Sequence, residues 1–248
     1  MLAAIVAVLG LAGLSMALLA TRGAVSGEEG PINARAEARV PVEVALAKPE
    51  PALPEGMPTS KPKRKRAALD PLSGEEVGYA RGLALKAAGE GVGQRVDGTP
   101  GLQFLSVDLA EGPARAVTIN SYDYASDELV TQVVDVASGK VQTERAKGVQ
   151  PPPSKREVDT AMTRLLASPN SQALKDDYEG YTGVRLTSPD QLDYAGGAWT
   201  ADESSQGAEK CGEHRCVFFQ IRTQDGRGLV MVDQIVDLSA NTIEAVKP

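Results

Sequence analysis

The chain has 248 residues, 26 basic and 33 acidic, and a formal net charge of −7. Residues 67–248 hold 17 Lys and Arg against 27 Asp and Glu, a net of −10, which repels phosphate backbones and argues against a nucleic-acid partner. Hydrophobic residues make up 42% and aromatics only 4%, so any core has to be built from Val, Leu, Ile and Ala.

Leu2 to Ala20 is uncharged and almost wholly apolar. At 1.5 Å per residue such a helix spans about 28 Å, close to the roughly 30 Å of a bilayer core. Residues 1–26 therefore read as a signal peptide cut near Ala24-Val25-Ser26, or as an uncleaved anchor that crosses the membrane through residues 2–20. No basic side chain precedes the apolar run, which also suits a start upstream of Met1. Both main readings place the body outside the cytoplasm, secreted or held by one N-terminal helix; the opposite topology draws support only from Arg22 and a later basic cluster. Residues 27–68 read as a disordered tether. Pro41, Pro49, Pro51, Pro54, Pro58 and Pro62 force extended backbone at short intervals. The tether ends in Lys61, Lys63, Arg64, Lys65 and Arg66, either a contact for an anionic surface or a solvated linker end.

A first module is expected over 69–150. Ser73 and Glu76 form an S-x-x-E capping box behind Pro71. Val77, Ala80, Leu83, Ala84 and Ala87 then recur at helical spacing, and Gly89, Gly91 and Gly93 end the helix. Strands are expected at Leu102–Leu109, with Leu105, Val107 and Leu109 on one face, then at Ala116–Tyr122, Leu129–Val136 and Val141–Glu144. The plan repeats over 151–248. Pro71-Leu72-Ser73-Gly74-Glu75-Glu76-Val77 returns as Pro152-Pro153-Ser154-Lys155-Arg156-Glu157-Val158, 81 residues later. Val134-Asp135-Val136 with Val141 returns as Val236-Asp237-Leu238 with Ile243, 102 residues later. Two copies of one unit, the second longer by about 21 residues, explain both offsets. In the second copy Ser154 and Glu157 cap a helix bearing Val158, Met162, Leu165 and Leu166. Ala173–Tyr178 suggests a short helical turn and Gly183–Leu186 a short extended piece, the least defined stretch being 171–198. Val217–Arg222 and Leu229–Leu238 form a hairpin about Asp225-Gly226, and residues 242–246 close the sheet. The fold class is α+β, each module a helix packed on an antiparallel sheet.

Leu69-Asp70-Pro71-Leu72-Ser73-Gly74-Glu75-Glu76, the Phe104–Pro113 strand and turn, and Val133-Val134-Asp135-Val136 with Gly139 and Val141 resemble the first of two small domains that precede the catalytic domain of copper amine oxidases. Gly148-Val149-Gln150-Pro151-Pro152 is similar to the junction into the second. The resemblance covers 69–170 and fades beyond. It implies two tandem cystatin-like modules; the closing hairpin would also suit PepSY-like modules. The oxidase chemistry itself needs three histidine copper ligands and a self-processed tyrosine. This chain has one histidine, and Ser121 splits Asn120 from Tyr122 in the nearest tyrosine stretch. The resemblance therefore implies accessory domains without an enzyme, and no cofactor is expected.

Cys211-Gly212-Glu213-His214-Arg215-Cys216 is the one stretch rich in reactive side chains. It reads first as a local disulfide, Cys211 to Cys216, in an oxidising compartment. The alternative is a metal-handling protein with Cys211, His214 and Cys216 as ligands. There is no G-x-S-x-G elbow, no phosphate loop and no second histidine for general acid–base work. His214, Trp199, Tyr122 and Tyr124 are candidate interaction residues, and Tyr178, Tyr181 and Tyr194 are either core or contact residues. The expected function is that of a non-catalytic protein-interaction module with a protein partner at the cell envelope.

Overall fold

A computed structural model describes residues 60–202, 206–229 and 233–246. The apolar run at 2–20 and the tether up to residue 59 lie outside them. Among the described residues no helix is long and apolar enough to cross a membrane. The elements run α1 (Gly74–Ala88), β1 (Gln103–Leu109), β2 (Ala116–Asp123), β3 (Glu128–Asp135), β4 (Val141–Lys147), α2 (Lys155–Ala167), α3 (Gln172–Thr182), β5 (Leu192–Ala198), β6 (Cys216–Thr223), β7 (Gly228–Leu229), β8 (Gln234–Asp237) and β9 (Thr242–Ala245). All strand pairs are antiparallel; one sheet has the order β1-β2-β3-β4, the other β5-β6-β8-β9, with β7 also on β6. The class is α+β.

Both capping boxes form as the sequence predicts. Ser73 and Ser154 accept the backbone N–H of Glu76 and Glu157, and each glutamate returns a bond to its serine's own N–H. Both carboxylates are buried, at 1% and 0% exposure, where an unpaired charge is very costly. An arginine from the start of the second strand of each sheet answers that cost. Arg115 Nε and Nη2 meet the Glu76 carboxylate at 2.9 and 3.0 Å. Arg215 Nε and Nη2 meet Glu157 at 2.9 and 3.3 Å. The remaining donors of each fork take carbonyls of the chain just ahead of the helix: Ala67, Ala68, Asp70 and Pro71 for Arg115, Pro151 and Pro152 for Arg215. The carbonyl of each arginine then accepts from the residue after the third-strand aspartate, Val136 N at 3.1 Å and Leu238 N at 2.8 Å. Each aspartate also opens the next turn, Asp135 through Ser138 N and Asp237 through Ala240 N. The turns close on a positive-φ residue, Gly139 in one case and Asn241 in the other.

The additional residues of the second half fall in three places. The offset between matching elements is 81 at the helices, 89 from β1 to β5, 100 from Arg115 to Arg215 and 102 at the closing aspartates. The first increment accommodates α3, which is a full helix of 11 residues rather than a short turn, and Gly183–Leu186 is not a strand. The second lengthens the β5–β6 connection that carries both cysteines. The expected strand Leu229–Leu238 is represented by β7 and β8, residues 230–232 lying outside the description.

The first core is small: Ala80 and Ala84 of α1 sit on Val117, Ile119, Val134 and Val136. Short alanine side chains let the helix lie close to the sheet. Phe104 and Val107 of β1 join this core, and Leu105 does not share their face as alternation predicts. The pairing shifts between Phe104 and Ser106, a bulge at Leu105 that resets which side chains face inward. The second core is larger, with Met162, Leu165, Leu174, Val217, Phe219 and Val236 at its centre, and it also takes in Val96 from the first half. The outer faces differ. Over the first sheet Ser106, Asn120 and Thr131 form a polar ladder, with bonds of 3.1 and 3.0 Å. The β5–β6 loop covers the second, burying Ala208, Cys211, Cys216 and Ile235 against Trp199 and Phe218.

Polar side chains stitch the halves together. The Tyr124 hydroxyl donates to Glu157 Oε1 at 2.6 Å, and the Arg215 guanidinium lies 5.3 Å from the centre of the Tyr122 ring. Arg156 pairs with Asp97, and Arg164 donates to the carbonyls of Val96 and Leu238.

Two outcomes test the clamps. Arg215→Met leaves Glu157 buried without its partner and should cost about 3–5 kcal/mol, whereas Arg227→Met, at an exposed pair, should cost about 1 kcal/mol or less; urea denaturation followed by circular dichroism measures both. The bond from Arg115 holds the Glu76 carboxyl at about 2, below its usual 4.5, against the opposing effect of burial. A depressed carboxylate stabilises the fold above its ordinary pKa and loses that contribution as pH falls from 4.5 towards about 2. Glu76→Gln should therefore be less stable at neutral pH, and its stability should fall less steeply with acid over that window.

Candidate functional site

Among the described residues β1, β4, β5 and β9 end the two sheets, with the two-residue β7 beside β6, and three of those four strands are protected against pairing with another chain. β1 is broken by its bulge. β4 carries Glu144, Arg145 and Lys147 along a mostly exposed strand. β9 has four residues. Bulges, charges and shortness are the usual means of blunting a sheet edge. β5, Leu-Asp-Tyr-Ala-Gly-Gly-Ala, has none of these: it pairs with β6 without a register shift from Leu192 to Ala198 and bears a single charge, Asp193.

The register tells which backbone groups face away from β6. In an antiparallel pair, alternate residues exchange both bonds with the neighbour and the others turn theirs away. Trp199 N donates to Cys216 O at 3.0 Å, so Trp199, Gly197, Ala195 and Asp193 face β6. The N–H and C=O groups of Tyr194, Gly196 and Ala198 point away from the sheet. Gln224 Nε2 caps the lower end by donating to Leu192 O at 3.1 Å.

These groups, unpaired among the described residues, border a groove of about 620 Å³, whose far wall is Gln150, Pro152, Pro153 and Lys155 ahead of and at the start of α2. That volume lies within the range of ligand sites. Small side chains keep it open. A Cβ on Gly196 would come within 2.9 Å of Val158, and one on Gly197 within 2.3 Å of the Phe218 ring. The two glycines thus let α2 seat on one face of β5 and Phe218 on the other. Tyr194 spans from strand to helix, its hydroxyl donating to Asp159 Oδ1 at 3.0 Å. Burial, with the Asp159 carboxylate beside it, pushes this phenol well above its usual value. Lys155 closes the same corner by pairing with Asp159.

Cys211 and Cys216 form the disulfide, their Cα atoms 5.5 Å apart, and pin the β5–β6 loop to the outer face of β6. The three-ligand set of the metal reading is not assembled: the sulfurs are joined to each other, and His214 Nδ1 meets Asp237 Oδ2 at 2.7 Å. Among the described residues no group of three or more His, Cys, Asp or Glu side chains is placed to hold a metal ion. His214 is half-buried rather than exposed, and its carbonyl accepts from Gln150 Nε2. Trp199 packs against the disulfide cluster. Tyr122 is buried and Tyr124 places its hydroxyl on Glu157, so both make contacts within the molecule, across the seam. Tyr178 is core and Tyr181 is exposed beside Arg227. Of the basic cluster, Lys61, Lys63, Arg64 and Lys65 are exposed, Lys61 donating to Ala137 O, and the half-buried Arg66 lies 3.9 Å from Glu76.

Sequence reasoning missed β5 and both clamp arginines. β5 has no Val, Ile, Phe or Trp, and its Gly-Gly pair reads as a loop. The arginines had a signal in principle: each is the last residue before a matching strand, Arg115-Ala116 and Arg215-Cys216. No known protein family matches the chain, and no curated protein matches it.

If Gly196 sets the approach of α2, Gly196→Ala should destabilise the fold by about 1–3 kcal/mol through overpacking. Adding Val158→Ala should recover part of that loss, as read from thermal melting of the single and double variants.

Proposed function

We propose that the body of this protein is a non-catalytic, extracytoplasmic interaction module that captures an extended segment of a partner polypeptide by adding it as a strand to β5. The observation that carries this reading is the contrast among the edges, with β5 alone left long, regular and nearly uncharged while the others are blunted. Strand addition takes its affinity from backbone hydrogen bonds, which β5 offers at Tyr194, Gly196 and Ala198, and its selectivity from side-chain pockets, which the groove beside α2 supplies.

The same reading takes the two halves as tandem cystatin-like modules, 69–150 and 151–248, derived from one unit. The recurrence of the capping box, its arginine fork and the aspartate turn in one order supports this, as do the motif resemblances to accessory domains of copper amine oxidases. The Cys211–Cys216 bridge supports an oxidising compartment, and with it secretion or N-terminal anchoring. The partner is a protein of the cell envelope.

Peptides selected by display against the protein provide the test. Ala198→Pro removes one outward N–H, a change tolerated on an edge strand whose N–H faces away from the ladder. Selected peptides should bind the wild type with saturation and lose about tenfold or more in affinity with Ala198→Pro, while melting temperature changes little. Peptides that bind both proteins equally would place recognition elsewhere.

A further inference from the structure

The register of β5 fixes where the side chains of an added strand would fall. The outward N–H and C=O groups belong to Tyr194, Gly196 and Ala198, so an antiparallel residue that bonds to Gly196 stands directly opposite it. Residues directly opposite share one face of the sheet. At Gly196 that face is the one toward α2, because a Cβ there would meet Val158 at 2.9 Å. The opposing side chain is thus delivered into the groove between β5 and the start of α2.

What surrounds it there is largely apolar. Val158 is seated on Gly196, and the exposed Pro152 and buried Pro153 form the wall beyond. The Tyr194 ring lies on the same face two residues along, in the diagonal position that aromatic side chains reach. That ring is held at both ends. It makes a T-shaped contact with Phe219, 6.3 Å between centres, and its hydroxyl bonds to Asp159. An acidic side chain opposite Gly196 would have to compete with Asp159 for Lys155. A large apolar one buries its surface against Val158 and the prolines, and an aromatic one adds an edge-to-face contact with Tyr194. The groove, about 620 Å³, has room for such a side chain.

The other face carries the one charge of the strand. Asp193 is exposed, three residues from Gly196 and on the opposite face. Arg222 stands across from it on β6, and its other side is the one an added strand takes. In an antiparallel pair, the residue opposite Asp193 lies three positions C-terminal to the residue opposite Gly196. A basic side chain there forms a cross-strand ion pair, in a body whose residues 67–248 carry a net of −10.

We infer, on the reading that β5 takes up a partner strand, that this strand runs antiparallel, sets a large apolar and by preference aromatic side chain opposite Gly196, and carries Lys or Arg three positions further on, opposite Asp193. Antiparallel addition continues the pairing found throughout both sheets.

The probe is a fluorescein-labelled peptide, Thr-Val-Thr-Phe-Thr-Val-Lys-Thr, titrated with the full chain by fluorescence polarisation. It should bind with saturation. Replacing its phenylalanine by alanine or glutamate should weaken binding about tenfold or more. Replacing its lysine by serine, or moving the lysine to the first position, should weaken it about twofold to threefold. Asp193→Asn should remove the lysine effect, and Pro152→Ala should shrink the phenylalanine effect about threefold. Equal binding of the phenylalanine, alanine and glutamate peptides, each lost with Ala198→Pro, would overturn this inference and leave strand addition standing. A lysine effect that survives Asp193→Asn would overturn the register. Binding that survives Ala198→Pro would overturn strand addition and this inference together. No saturable binding would also overturn the inference, the display-selected peptides then deciding strand addition by themselves.

Discussion

The arginine fork on a buried capping-box carboxylate is the interaction on which the remaining structure depends. A glutamate at the third position of a helix ordinarily sits at the surface, where it only fixes the first turn. Here it is buried in both halves, and the charge is tolerable because a guanidinium satisfies both of its oxygens while also gathering the carbonyls ahead of the helix. One residue thereby ties the helix start, the segment before it and the second strand of the sheet. The Arg215 clamp has a further consequence. Gln150, Pro151 and Pro152, which its Nη atoms hold, belong to the segment that walls the β5 groove. The shape of the candidate binding site is therefore set from inside the core.

The clamp also explains why the halves pack as they do. Tyr124 reaches from the first half to Glu157, and Tyr122 lies against Arg215, so the tyrosine-rich turn of one half completes the polar core of the other. The first half has no equivalent donor from the second among the described residues. Its Glu76–Arg115 pair lies nearer the surface, and the basic end of the tether runs beside it through Arg66. The two outer faces diverge in the same way. A polar ladder keeps the first sheet's outer face solvated, while a disulfide-closed loop covers the second.

How much of this was legible in the sequence follows from the range of the interactions involved. The capping boxes are local, three residues from end to end, and Pro-x-Ser-x-x-Glu-Val announces them twice. The closing turns are equally local, and Asp135 and Asp237 were legible with them. The arginines lie 39 and 58 residues from their glutamates, and no period links two such distances. The bulge at Leu105 was hidden because alternation assumes an uninterrupted ladder. β5 was hidden because it is held by what packs on it, Val158 and Phe218, rather than by its own propensity. The features that make it a poor strand by composition, small side chains and two glycines, are the ones that leave its edge open. Tyr122 and Tyr124, expected as interaction residues from their aromatic character, make contacts within the molecule, Tyr122 buried and Tyr124 bonded to Glu157.

The central functional claim is that β5 presents an unpaired backbone edge. Residue-resolved amide hydrogen exchange on the free protein tests it most directly. Exchange should alternate along the strand, with Asp193, Ala195 and Gly197 protected by β6 and Tyr194, Gly196 and Ala198 exchanging quickly. Protection of all six amides would show that another part of the molecule already covers this edge, and would contradict the account.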